Sequence, residues 1–525
     1  MNAVNAADLR IGVVGAGVGG AFTAHFLREL LGVNATIEVF DANERAGGRV
    51  LDTTTLLGEP LAQELGASMA ITQNRYVRDA ADKLGLKRRS LRDSPGRGSG
   101  RLAVVGADGA IAFTESGFAP LTVARLLRRY GGRSLRNVKG VASEFIANFS
   151  RLYDAQDAGR AFRSPRDLLA EASMEEWPAR ACGAALGAVA AEGTAELVEA
   201  LMRNNYGQAA EDSGALCCFT AVAPLAAGGS KAAFKIEGGN AQLAARLLAR
   251  ANASTRFGHR VTAVERSSAP AGGGEPSRPF RLRFVGADKV EGSRRFDYVV
   301  LAAPPTPKLE LSELRGAAWL RRGGLEYTRV HTTLVWGLLD PAAFGRARSR
   351  REVRELNAFG DVLVAGGGGG LNISSFGRID ATDAKGGGAA AAAPAAAVAG
   401  CADYPGVAVP RWKLFSPAAL DDAALGRALV WHDPGTVVRH AWESPGAYPL
   451  SRPRDADGDG ALAAGRDAFV LDELPGGMVL FPSALEAATS AMEVAAVGAK
   501  NAALLVAAHI AEPPPPPPPQ PKEEL

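Results

Sequence analysis

The spacing of apolar and polar positions divides the chain into a readable series of elements. Arg10-Ile11-Gly12-Val13-Val14 is an apolar run and reads as a buried strand. A glycine turn and a helix follow, then a second strand over 36–40 that ends on Asp41. Residues 75–85 have the amphipathic spacing of a helix closed by glycine. From about Leu91 to Gly229 apolar residues recur at intervals of three and four, as in 121–129 and 194–202, which predicts a helix-rich stretch. Glu237-Gly238-Gly239-Asn240 opens a helix over 241–251. Residues 260–264 alternate as a strand, and 296–303 read as a buried strand closed by Pro304-Pro305; both are expected to complete the first sheet. Further strands fall between about Leu311 and Ala461, among them 332–338 and 428–431. Low-complexity stretches at 366–370, 386–399 and 455–465 interrupt them and read as disordered surface insertions. A strand over 478–486 then feeds a helix of small residues over 491–508.

This order predicts an α/β protein: a Rossmann-like, FAD-binding domain of the glutathione-reductase or amine-oxidase type, with a discontinuous α+β substrate domain. The nucleotide domain is assigned residues 1–90, 230–310 and 462–512. The substrate domain takes 91–229 and 311–461, and 513–525 form a disordered polyproline tail. At 525 residues the chain exceeds one compact core. Its composition, 47% hydrophobic and 22% charged, is that of a soluble globular enzyme. A net charge of +3 gives no electrostatic case for nucleic acid. No stretch reaches the ~18 continuous apolar residues of a membrane span, and the run 215–227 is short and contains a proline. Cys182, Cys217, Cys218 and Cys401 lack metal-ligand spacing. Cys217 and Cys218, being adjacent, cannot form an ordinary disulfide with each other, and all four read as small core residues.

The chemistry is concentrated near the N-terminus. Gly15, Gly17 and Gly20 fit the G-x-G-x-x-G spacing, with Gly19 beside them: a tight turn, close approach of backbone to a pyrophosphate, and close packing of helix on strand. The helix N-terminus offers N–H groups and a favourable dipole to phosphate. Asp41 stands where a carboxylate takes ribose hydroxyls, and its charge disfavours the 2′-phosphate of NADP. Gly47-Gly48-Arg49 resembles the segment that FAD-dependent amine-oxidase-like enzymes run beside the pyrophosphate, which favours FAD over NAD.

Narrower segments point further. Arg129-Tyr130-Gly131 with Ser134-Leu135-Arg136, then Arg203-Asn204-Asn205-Tyr206-Gly207-Gln208, Glu237-Gly238-Gly239-Asn240, and Ser490-Ala491-Met492-Glu493 with Asn501-Ala502-Ala503-Leu504-Leu505 together resemble the prenylcysteine oxidase and farnesylcysteine lyase family. The resemblance runs from Arg10 to about His509, apart from the low-complexity loops. Leu65-Gly66-Ala67-Ser68 departs from the family's double glycine, and the family's signal peptide is not seen. The resemblance implies FAD, a prenylcysteine substrate, O₂ as oxidant, and oxidative cleavage of the thioether to cysteine, a prenyl aldehyde and H₂O₂. It also implies a lysosomal, vacuolar or endomembrane-lumenal setting, with peripheral membrane contact open. The final Lys522-Glu523-Glu524-Leu525 resembles an ER-retrieval ending, and N-x-S/T sequons begin at Asn34, Asn148, Asn252 and Asn372.

The cofactor candidates are thus Gly15, Gly17, Gly19, Gly20, Asp41, Gly48, Arg49, Val261 and Glu486; no metal site is expected. Val261 resembles the strand residue whose backbone meets adenine in such flavoproteins, and is otherwise a core valine. Glu486 is placed near the flavin ribityl chain, or is a helix-start acid. Asn205, Tyr206 and Gln208 are candidates for positioning substrate; the alternative is a helix C-cap with Gly207 left-handed. Cys217, Cys218, Phe219, Val222 and Leu225 either wall a prenyl channel or form core. Two other functions stay open: an amine oxidase or desaturase on the same scaffold, and a non-catalytic prenyl-binding escort.

Overall fold

The computed structural model describes residues 9–59, 62–91, 101–267, 278–306, 308–321, 325–366, 370–379, 403–443, 446–453 and 468–512. The stretches 386–399 and 455–465, most of 366–370, and the tail 513–525 lie outside the described residues.

Three consecutive elements found the nucleotide domain: strand β1 (Arg10–Val14), helix α1 (Val18–Leu31) and strand β2 (Thr36–Phe40). They belong to a six-stranded sheet ordered Val470–Leu474, Gly477–Leu480, Tyr298–Leu301, β1, β2, Ser254–Arg256. β1 runs parallel to both neighbours, with Ile11 opposite Ile37 and Val13 opposite Val300. Residues 11–14 and 298–301 are all buried, because the sheet is covered on both faces. A strand so covered needs a continuous apolar run, not alternation. Helix α1 packs against the last helix, Met492–Ala511, with Gly19 set so that a Cβ would lie 3.8 Å from that of Ala495. That last helix is the one described element long and apolar enough to cross a membrane, yet 67% of its most apolar window is buried inside the fold.

One expectation fails here. The strand Arg260–Arg266 does not join the main sheet but pairs with Phe280–Val285 and Glu291–Phe296 in a separate antiparallel sheet. Its pattern shows the reason: only Ala263 and Val264 are buried, so it suits a sheet with one wet face. The predicted strand over 296–303 is likewise split, Phe296 closing one strand and Tyr298–Leu301 forming the next.

A second, eight-stranded sheet is built chiefly from residues 330–442 around the ten-residue strand Val330–Leu339. The stretch expected to be helix-rich donates two strands to it, Leu102–Val105 and Ile111–Thr114, the first parallel to Asp361–Val364. Trp412, Phe344 and Phe376 fill its core. Gly132–Asp157, Ala188–Tyr206 and Ala215–Ala227 pack on one another, Ala188–Tyr206 also against the strands Leu102–Val105 and Asp361–Val364 and Gly132–Asp157 against the last helix. Cys182 and Cys218 form a disulfide, which corrects their assignment as plain core residues; Cys217 is a free, buried thiol. Cys401 lies outside the described residues.

Candidate active site

The nucleotide end is shaped by backbone. Gly15 has φ +106° and donates its N–H to the Phe40 carbonyl at 2.7 Å, which ties the turn to the end of β2. A Cβ on Gly20 would lie 1.8 Å from the Gly15 carbonyl oxygen, so only glycine lets the helix cross so close to the turn. Gly17 is different. It starts α1, and a Cβ there would meet nothing nearer than 3.8 Å. No side chain caps this helix, and no acid occupies its first turn, so its N–H groups are open to an anion.

Asp41 closes the turn from β2. Its Oδ2 accepts the Ala16 N–H at 2.7 Å, and its Oδ1 accepts the Asn43 backbone and side-chain N–H groups at 2.8 and 2.9 Å. A carboxylate offers roughly four acceptor positions, which leaves one for a ribose hydroxyl. The second glycine pair lies against the first: Gly17 bridges Gly47, and a Cβ on Gly48 would sit 3.2 Å from the Gly17 Cα. Arg49 then donates to the Glu486 carboxylate at 2.6 Å and to the Ala447 carbonyl at 3.2 Å. Burial alone would lower the Arg49 pKa, but the Glu486 carboxylate outweighs it and holds the guanidinium firmly charged. Glu486 is buried and also accepts the Ser490 hydroxyl at 3.0 Å. Val261 is half-buried in the separate sheet opposite Phe284, two residues beyond His259, whose N–H donates to the Asp41 carbonyl at 2.8 Å.

A cavity of about 530 Å³ opens between the helical layer, the eight-stranded sheet and a small sheet that contains Ala70–Ile71 and Ala233–Ile236. Part of its wall is aromatic, from Phe145, Phe149 and Tyr153 on one helix, with successive rings 5.9 and 5.8 Å apart. Another part is polar and carries Glu64 with the cationic Lys235 and Lys413. Gly66 is also in the wall; a Cβ there would lie 2.0 Å from the Arg49 carbonyl oxygen, which links cavity and glycine turns directly.

The three polar candidates divide. Asn205 and Tyr206 line the cavity, whereas Gln208 does not. Tyr206 ends its helix, Gly207 adopts φ +62°, and the phenol lies 3.1 Å from the Thr489 hydroxyl. Burial raises the Tyr206 pKa far above its ordinary value, so it stays a neutral phenol. Asn205 has a long contact, 3.5 Å, to the Ala221 carbonyl. Gln208 is buried, donates to the Pro449 carbonyl at 3.1 Å and accepts the Ser451 N–H at 3.0 Å, so it braces the chain behind the site. The proposed channel residues Cys217, Cys218, Phe219 and Val222 are buried and Leu225 is exposed; the cavity is lined instead by Thr220, Ala221, Ala223 and Pro224 of the same helix. Among the described residues no cluster could hold a metal ion.

Glu64 is the group sequence reasoning missed. Its Oε1 accepts the Asn240 N–H at 2.6 Å, while its buried Oε2 has no partner. Burial drives its pKa up to about 8; Asp52 pushes the same way, and the Asn240 N–H, Lys413 and Lys235 oppose it. The signal was its place directly before Leu65-Gly66-Ala67, the segment noted for departing from the double glycine.

The family model described as prenylcysteine lyase matches residues 113–514, and one described as NAD(P)-binding Rossmann-like domain matches 13–84. The chain is similar to prenylcysteine oxidase 1 of Bos taurus, 26% identical over 504 residues that cover 94% of this chain and 88% of that protein. Farnesylcysteine lyase of Arabidopsis thaliana is 26% identical over 353 residues, covering 63% and 64%. Among solved structures, a cyclohexylamine oxidase from Brevibacterium oxydans aligns with a TM-score of 0.56 at 15% identity, covering 96% of this chain and 99% of that one. Putrescine oxidase bound to putrescine aligns at 0.54 with 16% identity and the same coverage. These two show the fold: a Rossmann-like nucleotide domain joined to a mixed sheet, as in amine oxidases.

Proposed function

The chain belongs to the prenylcysteine lyase family, and from that membership we propose that it is an FAD-dependent oxidase that cleaves the thioether of S-prenyl-L-cysteine. The observation that carries this reading is the cavity, which joins an aromatic wall able to bury an isoprenoid to a polar wall able to meet an amino acid. The protein groups fit FAD: open N–H groups at α1, space at Gly17, one acceptor position left on Asp41, and a charged Arg49 beside the glycine turns. When bound, FAD would supply the two-electron oxidation of the allylic carbon next to sulfur, with O₂ as final acceptor. The balance is prenylcysteine, O₂ and water giving cysteine, prenyl aldehyde and H₂O₂.

The chain's own part is to bind, orient and bury. Phe145, Ile146 and Phe149 take the isoprenoid, each Å² of apolar surface removed from water contributing about 25 cal/mol. Asn205, at the mouth of the left-handed turn, faces the cavity with weakly engaged hydrogen-bonding groups and is assigned to substrate positioning. Tyr206 shapes the same wall as a neutral phenol. Hydride loss from carbon requires no side-chain base, so no proton-transfer residue is assigned. The disulfide fits folding in an oxidising compartment. The test is to incubate purified protein with farnesylcysteine and measure aldehyde and peroxide. Equal yields of both confirm the reading, and turnover of simple amines in their place would overturn it.

A further inference from the structure

The helix Ala119–Tyr130 carries an apolar face that none of the described residues covers. Pro120, Val123, Ala124 and Leu127 recur at intervals of three and four, hence on one side of the helix, and all are exposed. Val123 and Leu127 are 52% and 49% exposed, and the flanking Phe118 and Leu121 are 65% and 43% exposed. The other side is engaged: Arg125 donates to the Thr114 carbonyl, Arg129 pairs with Glu196, and Tyr130 is buried against Phe113. The helix is therefore held to the protein by one face and shows the other to solvent. Large apolar side chains grouped in this way on a surface mark an interaction site.

Charge identifies the partner. Arg128 on this helix, and Arg133, Arg136 and Lys139 at the start of the next, are all exposed, and none has an acidic partner among the described residues. The whole chain carries a net charge of only +3, so this local excess of unpaired cations is a feature of the patch. An apolar face with bordering arginines and lysine matches a helix lying in the boundary between acyl chains and anionic headgroups. A protein partner would more often cover such a face with a polar rim of both signs. We infer that the helix Ala119–Tyr130 docks the enzyme on an anionic lipid bilayer.

The location suits this role. The helix Gly132–Asp157 begins at the cationic patch and carries Phe145 and Phe149 into the cavity wall. Arg133 and Phe145 are about 18 Å apart along the helix axis at ~1.5 Å per residue. A bilayer bound at one end thus lies close to the cavity reached by the other.

The test is flotation of the full-length holoprotein with vesicles of phosphatidylcholine alone or mixed with phosphatidylserine. The native protein should float with the anionic vesicles, less so at high salt, and hardly at all with the neutral ones. The double variant Val123→Asp, Leu127→Asp should lower the bound fraction about tenfold, and Arg133→Glu, Arg136→Glu should lower it and remove the salt dependence. Circular dichroism and flavin content of both variants should match the native protein, which separates loss of docking from loss of fold. Unchanged flotation of the Val123→Asp, Leu127→Asp protein would overturn the inference. So would a native protein that ignores anionic vesicles but forms a concentration-dependent dimer abolished by the same double variant, which would give this face to a second copy. Vesicle binding is read without turnover, so the outcome is independent of the proposed reaction.

Discussion

The nucleotide end and the substrate cavity are built in opposite ways. The nucleotide end comes from one stretch, residues 10–49, and its shape is set by what glycines leave out: a missing Cβ 1.8 Å from a carbonyl at Gly20, a positive φ at Gly15, open space at Gly17. The cavity draws its wall from segments scattered between Ala62 and Val494, and its shape is set by the side chains that are present. A site defined by absences tolerates almost no addition. A site defined by side chains can be changed one group at a time.

The largest break should come at Gly20. Gly20→Ala places a methyl group against backbone that cannot retreat, and the loss should exceed about 4 kcal/mol, seen as absent soluble protein or a collapsed melting temperature. A variant that melts like the native protein would refute the close crossing. Next, Gly17→Val should leave the fold intact, because a Cβ there meets nothing nearer than 3.8 Å, but should yield colourless protein by obstructing the pyrophosphate. Retained stoichiometric flavin in that folded variant would remove Gly17 from the cradle. Together the two separate a glycine needed by the fold from a glycine needed by the cofactor.

Glu64 sharpens the comparison from the cavity side. Its folded pKa is raised, so the folded state holds a proton that the unfolded chain releases at lower pH. Stability from this group is therefore complete below the ordinary carboxyl range and is lost as pH rises through about 8. Glu64→Gln should flatten that decline, and the difference between native and variant should change by roughly 2–4 kcal/mol between mildly acidic and alkaline pH. Parallel curves would mean that the carboxyl is already ionised. The smallest effects should divide the polar turn. Gln208→Ala leaves the Pro449 carbonyl and Ser451 N–H without partners and should cost about 1–3 kcal/mol of stability, with activity per folded molecule kept. Asn205→Ala gives up only long contacts, one accepted from the Asn204 amide at 3.4 Å and one donated to the Ala221 carbonyl at 3.5 Å, so it should change kcat/KM with the melting temperature held. The reverse pattern would exchange their roles.

The same contrast explains what could be read from sequence. The first strand, its turn, α1 and the acid at Asp41 were legible because local contacts make them: Gly15 bonds to Phe40, and Ala16 to Asp41. The family resemblance rested on similarly contiguous segments, and the matched family bears it out. Arg260–Arg266 was placed in the wrong sheet because alternation reports one wet face but not which partner covers the other. The strands Leu102–Val105 and Ile111–Thr114 went unseen inside a helical stretch because their partners, such as Asp361–Val364, lie far along the chain. Cys182 and Cys218 were passed over for the same reason, since spacing along a sequence does not say which cysteines meet. Glu64 shows the limit most clearly: nothing beside it in sequence tells that Asn240 satisfies one oxygen and leaves the other bare.

The disulfide between Cys182 and Cys218 also turns part of the chain into a covalent ring. The cysteines are 36 positions apart, and the arc between them contains the whole helix Ala188–Tyr206 with Asn205 and Tyr206 at its end. A protease that cut once within this arc would open the polypeptide without releasing either piece. On a gel the nicked protein would run as one band until a reductant was added and then as two. The wall that carries Asn205 is therefore fastened at both ends, and a single cut there is survivable in a way that one in the first glycine turn is not.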